Sequence, residues 1–232
     1  MEKGYIHRQI RRVSRNRVIV NSFIFFIVAI AIHSKIIDII KIKEIEGRIS
    51  LSILKFYGVR PLGFFCLLLL AGVNIWFIYG GIKTLLDPTK HKVYIGLINT
   101  YYPLDVIETI DDEALSNTVI KLGNLTVLPS WWIGQNFFNI TVIKASDIYW
   151  VYKKVTKNSM NFIPMGKTYD LVVCLSNRSV KTISMKENNI DKILYYIKDR
   201  YPWIVIGYSE ELKATWDRKF YEFSSYVNNK KH

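Results

Sequence analysis

The chain has 232 residues, half of them hydrophobic, and a formal charge of +13, which leaves room for two domain-sized units. Residues 1–83 carry thirteen Lys/Arg against four acids, and residues 84–232 carry nineteen against fifteen. The basicity therefore gathers beside the apolar runs, where anionic lipid is the expected partner and nucleic acid is not. Cys66, Cys174 and four scattered histidines exclude a disulfide framework and a local zinc motif.

Residues 1–17 form a basic amphipathic segment. Arg8, Arg11, Arg12 and Arg15 are spaced i, i+3, i+4, i+7, with Ile6, Ile10 and Val13 between them. On a helix this gives a basic face and an apolar face that lies on a membrane surface. The set either docks there, at about 1 kcal/mol per basic residue, or serves only as a topology signal; both readings place this end in the cytoplasm. Residues 18–37 follow as a first span. The apolar run Val18–Ile32 reaches spanning length by taking in residues 33–37, with Lys35 snorkelling. The competing reading is a signal peptide, because Ala29-Ile30-Ala31 fits a cleavage site behind a basic region. The Phe-rich run and long basic region favour an uncleaved anchor.

Residues 38–60 read as a short extracytoplasmic amphipathic linker in which isoleucines alternate with Lys and Glu. Gly47 breaks it before a second piece, Ile49–Phe56. The second span, residues 61–83, is built on Leu62–Ile82, a run without charge that crosses about 30 Å as a helix. Its one strongly polar side chain, Asn74, bonds either across to Asn21 or Ser22, favouring a hairpin or homo-oligomer, or to its own backbone.

Residues 84–232 then form a cytosolic α+β domain. Asp87-Pro88 is a turn signal, and Lys92–Ile98 alternates as a short strand. Asp111, Asp112 and Glu113 open a helix predicted to run to Leu122, their charges complementing its dipole; a metal-ligand role is the less favoured alternative. Gly123-Asn124 ends that helix. From Leu125 the period becomes two: Leu125–Val127, Trp131–Ile133, Phe138–Lys144, Ile148–Val155, 168–175 and 179–185, with a hairpin turn at Ser176-Asn177-Arg178. Ile190, Ile193, Leu194 and Ile197 mark a helix over 188–200 that Pro202 stops. Ser209 caps a final helix whose apolar face is Leu212, Trp216, Phe220, Phe223 and Val227. The fold class is a membrane α-helical hairpin plus an α+β domain, with a bent antiparallel sheet or small barrel and carboxyl-terminal helices. Trp131, Trp132, Trp150, Trp203 and Trp216 are assigned to the core rather than to a ligand pocket.

The stretch 153–167 is the candidate contact surface. Lys153, Lys154, Lys157 and Lys167 flank a tip carrying Met160, Phe162, Ile163 and Met165. Three readings fit: a tip entering a bilayer interface between headgroup-bound lysines, a grip on another membrane protein, or apolar side chains folded back onto the domain with the lysines merely solvated.

Residues 145–175 (ASDIYWVYKKVTKNSMNFIPMGKTYDLVVCL) and 201–216 (YPWIVIGYSEELKATW) resemble a group of two-pass membrane proteins of low-GC Gram-positive bacteria. Their cytosolic part looks like a pleckstrin-homology-type barrel. The resemblance implies that fold and a membrane location; it implies no reaction, and it transfers no lipid-binding residues.

Gly-rich phosphate loops, G-x-S-x-G, H-E-x-x-H and paired-Cys motifs are all absent from the sequence, so no catalytic, cofactor or metal residue is assigned. The expected function is a non-enzymatic binding or scaffolding module at the inner face of a bacterial plasma membrane, both termini cytoplasmic. Its partner is anionic lipid or another membrane protein. The alternative is a membrane enzyme, or an accessory subunit of a membrane transport or signalling complex.

Overall fold

The computed structural model describes residues 4–46, 61–100, 103–160 and 163–231. The expected break at Gly47, the piece Ile49–Phe56 and Phe162 lie outside them. The described chain forms two compact units, one holding both long helices through Ile95, the other built from Gly96 onward together with the start of the chain through Ile6.

In the first unit α1 runs from Tyr5 to Glu46 and α2 from Pro61 to Leu86. Both contain stretches long and apolar enough to cross a membrane, Tyr5–Lys41 and Gly63–Leu86. Most of the amphipathic segment, the first span and the start of the linker, through Glu46, form one continuous helix. Neither Gly nor Pro interrupts residues 5–46, so nothing in the backbone chemistry ends it. At 42 residues it is about 60 Å long, twice a hydrocarbon core. The two helices touch through small side chains. Ser14 Oγ lies 2.8 Å from Thr84 Oγ1, and a Cβ on Gly81 would come within 2.7 Å of Val18, so only glycine allows that approach. Asn74 donates to Leu70 O at 2.8 Å and Asn21 to Arg17 O at 2.8 Å. Each therefore satisfies its own helix, and the cross-helix bond belongs to Ser14 and Thr84.

After α2, Asp87 caps a single 3-10 turn, Pro88–Lys90, by accepting from Thr89 N. Residues expected as a strand form helix α3, Lys92–Thr100. The buried His91 starts it, its Nδ1 accepting from Val93 N at 3.3 Å, a local cap that alternation of apolar residues does not reveal.

The second unit opens with α4, Pro103–Leu115. This helix stops seven residues before the expected end, because Ser116 Oγ folds back onto Glu113 O at 2.7 Å. The remainder becomes strand β1, Ile120–Leu122, paired with β2, Leu125–Val127. Gly123-Asn124 is thus a two-residue hairpin turn, not a helix end, and Gly123 takes the left-handed φ of +57° that such a turn asks for. Next come β3, Trp131–Gln135, and β4, Ile140–Lys144, giving a four-stranded antiparallel sheet in the order β1-β2-β3-β4.

A 3-10 turn at Ala145–Asp147 carries the chain out of that sheet. The second sheet has the order β7-β6-β5-β8: β5 is Ile148–Met160, β6 Ile163–Leu175, β7 Val180–Ser184 and β8 Val205–Ile206. No strand pairs across the two sheets among the described residues, so the expected α+β organisation is present while a closed barrel is not. Between β7 and β8 lies α5, Glu187–Arg200. The single final helix expected from the sequence is two, α6, Glu210–Arg218, and α7, Phe220–Asn229, broken at Lys219, whose φ and ψ of −127° and 43° are not helical.

Both faces of the second sheet are covered. On one, Val151, Leu171, Val173 and Ile183 pack with Trp132 and Ile143 of the first sheet and with Ile190, Ile193 and Ile197 of α5. On the other, Trp150, Val172 and Cys174 pack under Trp216, Phe223 and Val227 of α6 and α7. Trp131, Trp132, Trp150 and Trp216 are buried, as core aromatics should be.

Candidate contact surface on the second unit

The β5–β6 ladder extends beyond both layers that cover its base. Its register continues from Lys153↔Leu171 through Lys157↔Lys167 to Met160↔Ile163, with an irregularity at Asn158/Ser159. The stretch expected as a long connecting loop is therefore nearly all paired strand. Lys154, Val155, Thr156, Lys157, Ser159, Gly166, Lys167 and Thr168 are exposed, which makes this part of the hairpin a solvated ribbon. Ile163 opens β6.

The candidate lysines divide into two kinds. Lys153 points back to the body of the unit, its Nζ 2.8 Å from Asp191 Oδ1 and 3.2 Å from Glu187 Oε1 on α5. Hydrogen bonds to Asp191, then Glu187, raise its pKa. Lys154 stands opposite Asp170, whose carboxylate already accepts from Ser184 Oγ at 2.6 Å. Lys157 and Lys167 face each other directly across the ladder. Two ammonium groups in that position repel, at a cost of roughly 0.2–1 kcal/mol. Between Asp147 and Asp170 the chain contains no acid, so the ribbon itself supplies no counter-charge.

Beside the foot of the ribbon lies a cleft of about 810 Å³, lined by Asn124, Lys167, Tyr169, Ser184, Lys186 and Glu187 among others. Glu187, its principal acid, is engaged by Lys153 and by the Tyr169 phenol, whose pKa the carboxylate raises. That leaves Lys167 and Lys186 to set the sign of the field at its mouth. The β1–β2 and β3–β4 turns lie at the same end. Gln135 N donates to Asn124 O at 2.7 Å, and Asn124 Nδ2 donates to Ser184 O at 3.0 Å. The strand expected from Phe138 starts at Ile140, and the turn before it is Asn136–Asn139, closed by Asn136 N donating to Asn139 O at 2.8 Å. The doubled Phe between two Asn was the available signal, since adjacent residues of a strand cannot share one face.

The arginines sit elsewhere. Along α1, Arg8, Arg12 and Arg15 are exposed and Arg11 is half-buried. Ile6, Ile10 and Val13, on the apolar side, are fully buried. Two of the three acids at 111–113 serve backbone amides. Asp111 Oδ1 accepts from Ile6 N at 3.3 Å and Glu113 Oε2 from Ser130 N at 2.9 Å.

A family model described as a domain of unknown function (DUF6709) matches residues 107–216. Among the described residues the match takes in all eight strands, α5, most of α4 and the larger part of α6, and so contains the ribbon and the cleft. No curated protein matches the chain.

Proposed function

We propose that the protein is a membrane-anchored, non-enzymatic binding module at the inner face of a bacterial plasma membrane, and that its β5–β6 ribbon engages anionic lipid headgroups. The observation that carries this reading is the Lys157–Lys167 cross-strand pair on an acid-free, solvated ribbon. Such a pair destabilises the ribbon in isolation, and a phosphate placed between the two ammonium groups reverses the sign of that contribution. The two helices of membrane-spanning length and composition supply the anchor, and each exposed lysine near an anionic leaflet adds about 1 kcal/mol. The helices keep the domain at high effective concentration near a bilayer, so weak contacts suffice.

The test uses the full chain in nanodiscs of phosphatidylcholine alone or with phosphatidylglycerol. An environment-sensitive fluorophore is placed at Thr156→Cys in a Cys66→Ser background. Quenching by brominated lipid in the anionic discs, lost when Lys154, Lys157 and Lys167 become Gln, is the expected result. Equal signals in both lipids, or a stoichiometric protein partner that departs with the lysines, would replace lipid by another ligand.

A further inference from the structure

The β3–β4 turn, Asn136-Phe137-Phe138-Asn139, has no part in the ribbon reading. It presents two aromatic side chains at the end of a hairpin, Phe137 57% and Phe138 41% exposed, their rings edge-to-face with centroids 4.9 Å apart. Large apolar side chains at a turn that leave about half of their surface to water are a feature of interaction sites. The backbone is fully specified beneath them, by the Gln135↔Ile140 pair and the Asn136–Asn139 hydrogen bond, so the tip is held rather than loose.

Its charge setting is one-sided. From Ala114 to Ser146 the chain has no acid and two lysines, Lys121 and Lys144. Through Gln135, Asn124 and Ser184 the turn is tied to the end of the unit where Lys167 and Lys186 border the cleft. An apolar tip with basic residues behind it matches the headgroup–acyl boundary of an anionic bilayer, apolar groups entering and cations staying at the phosphates. A narrow convex tip also suits a soft interface better than a protein groove, which needs an extended complementary surface.

We infer that Phe137 and Phe138 are an interfacial anchor, inserting into the same leaflet that the ribbon contacts, so that the second unit touches the membrane at two points. This rests on the membrane reading above but not on the ribbon lysines, and the two fail separately.

The experiment places the same fluorophore at Asn136→Cys, leaving both phenylalanines in place, in the full-length Cys66→Ser protein in anionic nanodiscs containing brominated lipid. Cys174 is buried, with its thiol pKa pushed up to about 12 by desolvation, and so does not take the label. A second protein carries the label at Tyr221→Cys, on the 84% exposed face of α7. Quenching and a blue shift at position 136, absent at 221 and lost with Phe137→Ser/Phe138→Ser, are expected, with an unchanged thermal midpoint showing that the fold survives. If position 136 stays quenched when Lys154, Lys157 and Lys167 are Gln, the anchor stands independently of the ribbon; if position 156 also stays quenched in that variant, the ribbon reading falls. An unquenched 136 beside a quenched 156 overturns the anchor alone. No quenching at either position overturns both, and equal quenching at 136 and 221 overturns the anchor as a specific contact.

Discussion

Single side chains in this protein do more joining than their neighbours in sequence suggest. Tyr201 follows α5, yet its hydroxyl donates to Leu128 O at 3.0 Å and its ring meets Trp132 edge-to-face at 5.9 Å, joining the α5 end to the first sheet. Tyr201→Phe keeps the ring and leaves a buried carbonyl short of a donor, so we expect a loss of about 1–2 kcal/mol, read as a lower thermal midpoint in detergent. His91 is 3% exposed, and burial, then the charges of Arg17 and Lys92, push its pKa down to about 4. The unfolded chain, with an imidazole near 6.5, binds the proton first as pH falls. Stability is therefore complete above about pH 6.5 and declines toward pH 4, by about 1 kcal/mol at pH 5.5. A His91→Gln variant should lose this part of the difference between melts at pH 7.5 and 5.5; an identical pH dependence in both proteins would exclude it.

Elements here are stabilised by what covers them, and the ribbon shows the consequence of not being covered. At its base, Val151 and Leu171 are fully buried; four residues further on, Val155 is 45% exposed and the ladder is what remains. Lys153, salt-bridged to Glu187 and Asp191 at partly exposed positions, adds under about 1 kcal/mol. Lys167→Glu turns a like-charge cross-strand pair into an opposite one, worth roughly 0.2–1 kcal/mol. Slower amide exchange in residues 154–168 together with weaker response to anionic lipid is the expected outcome, a variant that is more stable and less functional. Weaker binding with faster exchange would mean instead that Lys167 holds the ribbon together.

At the scale of the whole molecule, two helices of membrane-crossing length precede a domain with its own two-sided core. Under the proposed function both termini face the cytoplasm. Reporter fusions made after Arg60 and after His232 should report the outside and the inside respectively. An external carboxyl terminus would remove the domain from the leaflet that the proposal assigns to it.

Composition and periodicity alone determined the two long apolar helices, the α+β content, the amphipathic helix near 188–200 and the tryptophan-rich core. Each is a property of local pattern, repeated often enough to outweigh any single neighbour. Tertiary structure decided the rest, because hydrogen bonds between distant or capping groups carry no periodic signal. Ser116 and His91 reset helix boundaries with one side chain each. Gly123-Asn124 became a hairpin once residues 120–122 found β2 as a partner. The lysines of 153–167 were visible in the sequence, but only the register shows that Lys157 meets Lys167 while Lys153 is bound to α5. The burial of Ile6, Ile10 and Val13 was equally out of reach, since an apolar stripe has the same spacing whether protein or lipid covers it.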